Sequence, residues 1–263
     1  MQTVIISVIT LSAIGFLFGI GLAYTLKIFS VQTDPRIQEI LNFLPGSNCG
    51  ACGNAGCLAL AEAIAKGKAG PTACAPGGES AHKGIASILG VEVETVTKKT
   101  VTILCKGGHR ALDRYRYEGV TTCAAVNMLH SGQKACIYGC LGFGDCVRVC
   151  PFDALRIGED GIPIVNEEKC TACGLCIKTC PKNIIVFMPT KNKVSVACFS
   201  KDKGAVSMKA CSVSCIACRK CEKVCEFDAI YVNDNLATID FSKCTSCMAC
   251  VKVCPTKCIV AKE

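Results

Sequence analysis

Hydrophobic and polar positions divide this chain into regions of different character. Val4 to Tyr24 is apolar throughout and carries no charged side chain, a run of the length that a helix needs to cross a bilayer. From Phe29 to Phe43 the chain is short, charged and polar, and Gln38 to Phe43 is expected to be helical. The segment LALAEAIAKG, directly after Cys57, predicts an alanine-rich helix. APGGES, after Cys74, reads as a turn-rich break, and a second helix is expected around His82 to Leu89. Residues 91–104 alternate, with Val91, Val93, Val101 and Ile103 on one side, so a strand or hairpin leads into Cys105. Beyond that boundary the organising residues are cysteines.

The flanks of the apolar run set its expected orientation. Met1, Gln2 and Thr3 carry no Lys or Arg, whereas Lys27 and Arg36 follow the run. The positive-inside rule then puts the amino terminus outside and everything after Lys27 in the cytoplasm, as a single-pass protein of the cell (inner) membrane. A cleaved signal peptide would instead carry a positive n-region, a shorter apolar core and a small-residue cleavage site. Gly15 and Gly19 form a GxxxG pair with Gly21 nearby, which favours a neighbouring helix and hence a subunit of a membrane complex.

The chain holds 25 cysteines in 263 residues, and their spacing decides their chemistry. Cys215, Cys218, Cys221 and Cys225, then Cys244, Cys247, Cys250 and Cys254 with Pro255, spell C-x2-C-x2-C-x3-C twice. That is the bacterial ferredoxin run, in which the fourth cysteine of each run ligates the other run's 4Fe-4S cluster. A disulfide scaffold does not suit so long a chain or so regular a spacing, and a reducing compartment follows. Zinc knuckles come as two separated pairs, which these runs are not. Cys49, Cys52, Cys57 and Cys74 form a separate C-x2-C-x4-C-x16-C module, with glycines at 50, 53 and 56 that let backbone amides approach the sulfurs. For that module zinc stays open as the alternative metal.

An earlier stretch repeats the regular one imperfectly. KACIYGCLGFGDCVRVC, Lys134 to Cys150, overlays KACSVSCIACRKCEKVC, Lys209 to Cys225. Cys136 falls on Cys211, Cys140 on Cys215, Cys146 on Cys221 and Cys150 on Cys225, while Phe143 falls on Cys218. VTILC at Cys105 likewise matches VSVAC at Cys198, so a duplicated unit is the simplest account. Having lost its middle cysteine, the first copy is expected to use Cys136, one helical turn before Cys140, in its place. Crossed pairing then predicts four clusters: on Cys136, Cys140, Cys146 and Cys180; on Cys150, Cys170, Cys173 and Cys176; on Cys215, Cys218, Cys221 and Cys254; and on Cys225, Cys244, Cys247 and Cys250. With the amino-terminal module the total is about five, and if Cys136 does not reach, the first becomes a 3Fe-4S site. Cys105, Cys123, Cys198, Cys211 and Cys258 are left over. They are read as buried small hydrophobes, with a sixth cluster as the alternative.

These boundaries give an α+β chain: an anchor at 1–28, a linker and four-cysteine module at 29–90, and two tandem ferredoxin-like domains at 91–190 and 191–263. The formal charge of +8 counts neither thiolates nor metal, and five clusters at roughly −2 each would offset it. Without Trp for base stacking, nucleic-acid binding is not expected. Lys178, Lys182, Lys220, Lys223 and Lys252, beside cluster ligands, could steer an acidic ferredoxin or be ordinary solvated lysines. His82, His109 and His130 are scattered singly and read as core or surface residues. Glycines 139, 142 and 144 lack the strand and helix of a nucleotide loop.

The SNCGACGNAGC loop, the irregular run KACIYGCLGFGDCVRVCPFDAL and the uncleaved anchor together resemble the B subunit of the Rnf complex, the ion-translocating ferredoxin:NAD oxidoreductase. The likeness covers essentially the whole chain, with the second ferredoxin copy an extension. Glu226 departs from the pattern, standing where a proline usually follows the fourth cysteine. The resemblance implies a membrane-anchored electron-transfer subunit of a translocase. It would accept electrons from soluble ferredoxin and relay them to flavin-bearing and NAD-binding partners. No residue of this chain is expected to be catalytic or to bind NAD, and its one apolar helix lacks the charge an ion path needs. Two alternatives are a related complex that reduces a redox-sensing transcription regulator, and a stand-alone membrane-tethered polyferredoxin.

Overall fold

The computed structural model describes residues 2–28, 34–93 and 97–262. Residues 29–33 of the polar stretch and 94–96 of the alternating stretch lie outside the described residues.

Helix α1, Gln2–Ile28, takes up the apolar run and is long and apolar enough to cross a membrane. None of its spanning window is buried against the rest of the chain. Two of its threonines bond within the helix: the Thr10 hydroxyl donates to the carbonyls of Ile6 and Ser7, and that of Thr25 to Gly21 and Leu22.

Three helices build the amino-terminal module. Helix α2, Pro35–Phe43, begins with Asp34 as N-cap and proline in its first turn, and so starts earlier than the Gln38 expected. Helix α3, Cys57–Ala65, is the alanine-rich segment. Helix α4, Gly78–Leu89, follows a 3-10 turn at Ala75–Gly77 and ends at Gly90 in the left-handed conformation. It absorbs part of the segment read as a break, because Glu79 in its first turn pairs with Lys83 one turn on, 2.6 Å away. Ile37, Ile40, Leu44, Leu60, Ala61, Ile64 and Ile85 form the core of this module, together with Cys57 and Cys74.

The remainder is two copies of one plan. In the first, β1 (Lys99–Ile103) pairs antiparallel with β4 (Ile185–Pro189), and β2 (Leu155–Ile157) with β3 (Pro163–Val165). The short helices α5 (Cys123–Met128), α6 (Asp145–Arg148) and α7 (Leu175–Thr179) lie between strands. In the second, β5 (Val194–Val196) pairs with β8 (Ile259–Ala261), and β6 (Ile230–Asn233) with β7 (Leu236–Ile239). Its helices are α8 (Gly204–Ala210), α9 (Lys220–Lys223) and α10 (Ala249–Val253). In each copy the first strand pairs with the last, so the strand before Cys105 is no local hairpin: Val101 faces Phe187 and Ile103 faces Ile185. The apolar cores are thin, with Val101, Leu155, Ile184 and Ile185 packing on Cys146 and Cys176 in the first copy. In the second, Val194, Val196, Ile230, Val232 and Ile259 pack on Cys198, Cys215, Cys221 and Cys258.

Candidate metal centre

In the amino-terminal module the four cysteines converge at the start of α3. Cys57 is its first residue, and its backbone N–H donates to Asn48 Oδ1 at 2.8 Å, which fixes the preceding loop. Asn54 Nδ2 reaches Cys52 Sγ at 3.7 Å, and His82 on α4 holds the Cys74 carbonyl at 2.8 Å. His82 is thus a core histidine. Burial pushes the Cys74 thiol up, and the nearby sulfurs of Cys57, Cys52 and Cys49 push it the same way, which brings all four together.

Four apolar hollows in the two repeats are lined by cysteines, four in three of them and five in the other. Cys150, Cys170, Cys173 and Cys176 share one. Cys215, Cys218, Cys221 and Cys254 share another, with Cys258 in its wall, and Cys225, Cys244, Cys247 and Cys250 share a third. In these three hollows the lining cysteines are the sets that the crossed spacing predicts.

The irregular run differs from expectation. Its hollow is lined by Cys123, Cys140, Cys146 and Cys180, and Cys136 is not among the lining residues. The thiol of Cys146 is pushed up to about 11, by burial first and then by Cys123 and Cys180. Phe143, at the position of Cys218, packs edge to face on Tyr117 with ring centroids 5.8 Å apart. Arg148 Nη2 donates to the Thr121 carbonyl at 3.3 Å, and the Ala124 N–H donates to Asp145 at 3.1 Å. These contacts hold the 117–124 segment over the loop and set Cys123, the first residue of α5, in the wall of the hollow. The local signal was present: Thr122 caps that helix, leaving Cys123 at its first position as Cys57 is in α3. Cys136 is instead placed beside Cys105 and Cys211, which act on its thiol after burial does.

One backbone device recurs in all four runs. The residues flanking the second cysteine position are left-handed: Gly142 and Gly144, Ala172 and Gly174, Ala217 and Arg219, Ser246 and Met248. Alternating hand along a chain turns successive N–H groups to one side and makes a nest for anions. Several thiols in these dry hollows resist ionisation by themselves, although a hydrogen bond from Cys258 holds Cys215 down. Burial pushes Cys176 up to about 12, and Cys221 and Cys250 up to about 11. A bound cationic metal core would reverse that preference, since it is the thiolate that ligates.

The donor set fits iron–sulfur clusters. All sulfur donors are soft, and Ala154 N–H donates to Cys150 Sγ at 3.4 Å. The Thr171 hydroxyl, in the wall of the same hollow, is buried with no protein partner, leaving its O–H free to donate to a bound sulfide. Among the described residues no three His, Cys, Asp or Glu side chains converge closely enough to hold a single metal ion.

The loop geometry yields one expected result. Gly174 sits at φ +81°, and a methyl group there would lie 3.1 Å from Phe187 Cζ. Gly174→Ala should therefore cost about 1–2 kcal/mol, read as a lower denaturation midpoint of the holoprotein.

Comparison with known proteins finds iron–sulfur families over the same regions. Residues 44–76 match the "Fe-S cluster" family, and residues 135–184 and 214–258 each match the "4Fe-4S dicluster domain" family. Over 98% of its length the chain is 45% identical to the B subunit of the Na(+)-translocating ferredoxin:NAD(+) oxidoreductase complex of Acetobacterium woodii, covering 78% of that protein. This chain belongs to the B-subunit family of Rnf, the ion-translocating oxidoreductase complexes. The same extent of likeness holds for the B subunit of the ion-translocating oxidoreductase complex of Methanosarcina acetivorans, 44% identical over 98% of this chain and 99% of that one. Its counterpart in the proton-translocating ferredoxin:NAD(+) oxidoreductase complex of Clostridium ljungdahlii is 42% identical over 99% of this chain and 93% of its own length.

As an Rnf B-type chain it combines one amino-terminal apolar helix, an Fe-S module and two dicluster domains. Two of the ligand-flanking lysines have structural work: Lys178 Nζ donates to the Ala51 carbonyl at 3.3 Å, and Lys182 Nζ to the Ile137 carbonyl at 2.6 Å. Lys220, Lys223 and Lys252 are exposed on α9 and α10, as are Cys218 and Cys247 in the loops before them. Glu226, in place of proline, is exposed and leaves Cys225 in its hollow.

Proposed function

We propose that this chain is the membrane-anchored iron–sulfur subunit that accepts electrons from reduced ferredoxin. It would relay them into an ion-pumping ferredoxin:NAD oxidoreductase whose other subunits carry the flavin and the NAD site. When bound, 4Fe-4S clusters supply one-electron storage without bond changes in the protein. The chain's own residues hold them at five sites: Cys49, Cys52, Cys57 and Cys74; Cys150, Cys170, Cys173 and Cys176; Cys123, Cys140, Cys146 and Cys180; Cys215, Cys218, Cys221 and Cys254; Cys225, Cys244, Cys247 and Cys250.

The observation that carries this reading is the contiguity of these groups toward the anchored end. Cys173 is near enough for the Cys49 sulfur to act on it, and Lys178 ties that loop to Ala51 of the amino-terminal module. Cys176 in turn feels Cys146 of the adjoining group. At the far end, exposed Cys218 and Cys247 lie among exposed Lys220, Lys223 and Lys252, a surface suited to an acidic electron donor. Helix α1, with Lys27 in its last turn, would cross the cell membrane once and keep the soluble part in the cytoplasm. The relatives named for Na+ and for H+ are about equally similar, which supports ion choice residing in other subunits.

Two measurements test the proposal. The chain purified from native membranes should carry flavin-bearing subunits and support ferredoxin-dependent NAD+ reduction; isolation as a lone polyferredoxin would contradict it. In that complex, combining Lys220→Glu, Lys223→Glu and Lys252→Glu should raise KM for ferredoxin about tenfold or more at low salt, leave kcat nearly unchanged, and lose the difference at high salt.

A further inference from the structure

Four of the cysteines outside the five sites, Cys105, Cys136, Cys198 and Cys211, meet at the joint between the two repeats. We propose that they hold a sixth 4Fe-4S cluster, an inference that rests on the iron–sulfur reading above. The four are two equivalent pairs. Cys105 and Cys198 end the matching segments VTILC and VSVAC, and Cys136 and Cys211 end the matching KAC segments. Each repeat thus contributes the same two sulfurs to one shared place, as a pseudo-twofold joint requires.

The backbone brings them together. Leu112 N–H donates to the Ala210 carbonyl at 2.9 Å, and Ala135 N–H donates to the Leu112 carbonyl at 2.7 Å. Ala111 bridges to Cys211 and Asp113 to Lys134, so the 110–113 segment stitches the stretch before Cys136 to that before Cys211. A methyl group built on Gly107 would lie 3.4 Å from Cys211 Sγ and 3.6 Å from Cys105 Sγ, so two of the sulfurs flank one glycine. The same loop admits no side chain at Gly108, where a methyl would strike the Asp160 carbonyl oxygen. Cys136 has the sulfurs of Cys105 and Cys211 near enough to act on it, and Cys198 has that of Cys136.

Burial keeps the thiols of Cys136, Cys198 and Cys211 protonated by themselves, as it does Cys176 in its hollow, but amides and cations set the joint apart from ordinary buried cysteines. Cys136, Cys198 and Cys211 are 8%, 9% and 7% exposed, yet amides are turned toward the sulfurs of the joint. Gly107 and Cys140 N–H groups both donate to Cys105 Sγ at 3.4 Å, and Cys215 N–H donates to Cys198 Sγ at 3.3 Å. Arg110 and Lys134 supply positive charge at Cys211, with the Lys134 side chain 11% exposed and 3.0 Å from Asp113. Amide donors and cations are the levers by which proteins stabilise a cluster of net negative charge.

A cluster here would also bear on the relay. Cys140 belongs to the site with Cys123, and Cys215 to the site with Cys218. Each presents its own N–H to a sulfur of the joint. A cluster at the joint would therefore adjoin one site in each repeat, taking one electron as its neighbour on one side is oxidised and giving it up as the other is reduced.

Iron and acid-labile sulfide, measured on the anaerobically purified full chain, test this without any variant. Six clusters predict about twenty-four irons per chain and five predict about twenty, since each cube brings four. Cys105→Ser, Cys136→Ser, Cys198→Ser and Cys211→Ser should each remove about four irons and the same EPR signal, leaving the remainder. About twenty irons in the parent chain would overturn the proposal. So would a loss confined to Cys136→Ser, which would return Cys136 to the first repeat's own site. A chain reconstituted to no iron at all would overturn the cluster reading as a whole and this site with it.

Discussion

Stripping iron from the anaerobic holoprotein with a strong chelator is expected to unfold residues 97–262 while α2, α3 and α4 stay helical. The two repeats have little else to hold them. Their helices run from four residues in α6 and α9 to seven in α8, well below the length at which a helix persists alone. Strands β2, β3, β5 and β8 have three residues each, too short for two-stranded ribbons to survive unaided. The core of the first repeat counts Cys146 and Cys176 among its six buried members, so removing the metal leaves thiols around a hollow where packing should be. Metal binding is then folding free energy, of a size that structural zinc sites put at about 10–16 kcal/mol each. The amino-terminal module differs because its seven buried aliphatic residues pack helices of nine and twelve residues around Cys57 and Cys74, whereas the first repeat has four and the eight of the second sit on strands of three or four residues. Hydrogen exchange read by mass spectrometry distinguishes the two. Amides of β1, β4, β5 and β8 should lose their protection on chelation while those of α2 and α4 keep most of theirs; protected strands in the iron-free chain would count against the account.

How much of this could be read from the residues depended on whether a local pattern carried it. Val4 to Tyr24 is one unbroken apolar run, and α1 follows it as a helix long and apolar enough to cross a membrane. The ferredoxin runs were legible because one tight loop must present three sulfurs, and Cys170 to Cys176 and Cys244 to Cys250 do so around their own hollows. Pairing of β1 with β4 was not legible, since Val101 and Phe187 come from opposite ends of a repeat and three- to five-residue strands leave almost no alternation to read. Nor was the place of Cys123 in the wall of the first repeat's hollow. Spacing favours near neighbours, so Cys136 stood as the substitute for the cysteine lost at Phe143. The fold instead brings in a distant loop by packing Tyr117 on that same phenylalanine. The neighbours of the spare cysteines were equally beyond a local pattern, since Cys211 of the second repeat lies beside Cys105 and Cys136 of the first.

The other large effect concerns the anchored end. Cys57→Ser replaces a soft sulfur donor with a hard hydroxyl at the first residue of α3, and should cost the amino-terminal module about four irons. The helices of that module should survive, because Ile40, Leu60, Ile64 and Ile85 are buried independently of the metal. The repeats, with their own cysteines intact, should keep their clusters. The proximity of Cys173 to Cys49 and the tie from Lys178 to Ala51 make this module the neighbour of the first repeat, and α1 lies just before it in the chain. Loss of the module's metal should therefore separate reduction of the repeats from reduction of the membrane partners. The direct measurement is stopped-flow mixing of reduced ferredoxin with the purified complex carrying Cys57→Ser, followed at iron–sulfur and flavin wavelengths together. Bleaching of the iron–sulfur absorbance at the parent rate, with the flavin left oxidised, is the predicted result; flavin reduction at the parent rate, in a complex shown to lack the module's iron, would contradict it.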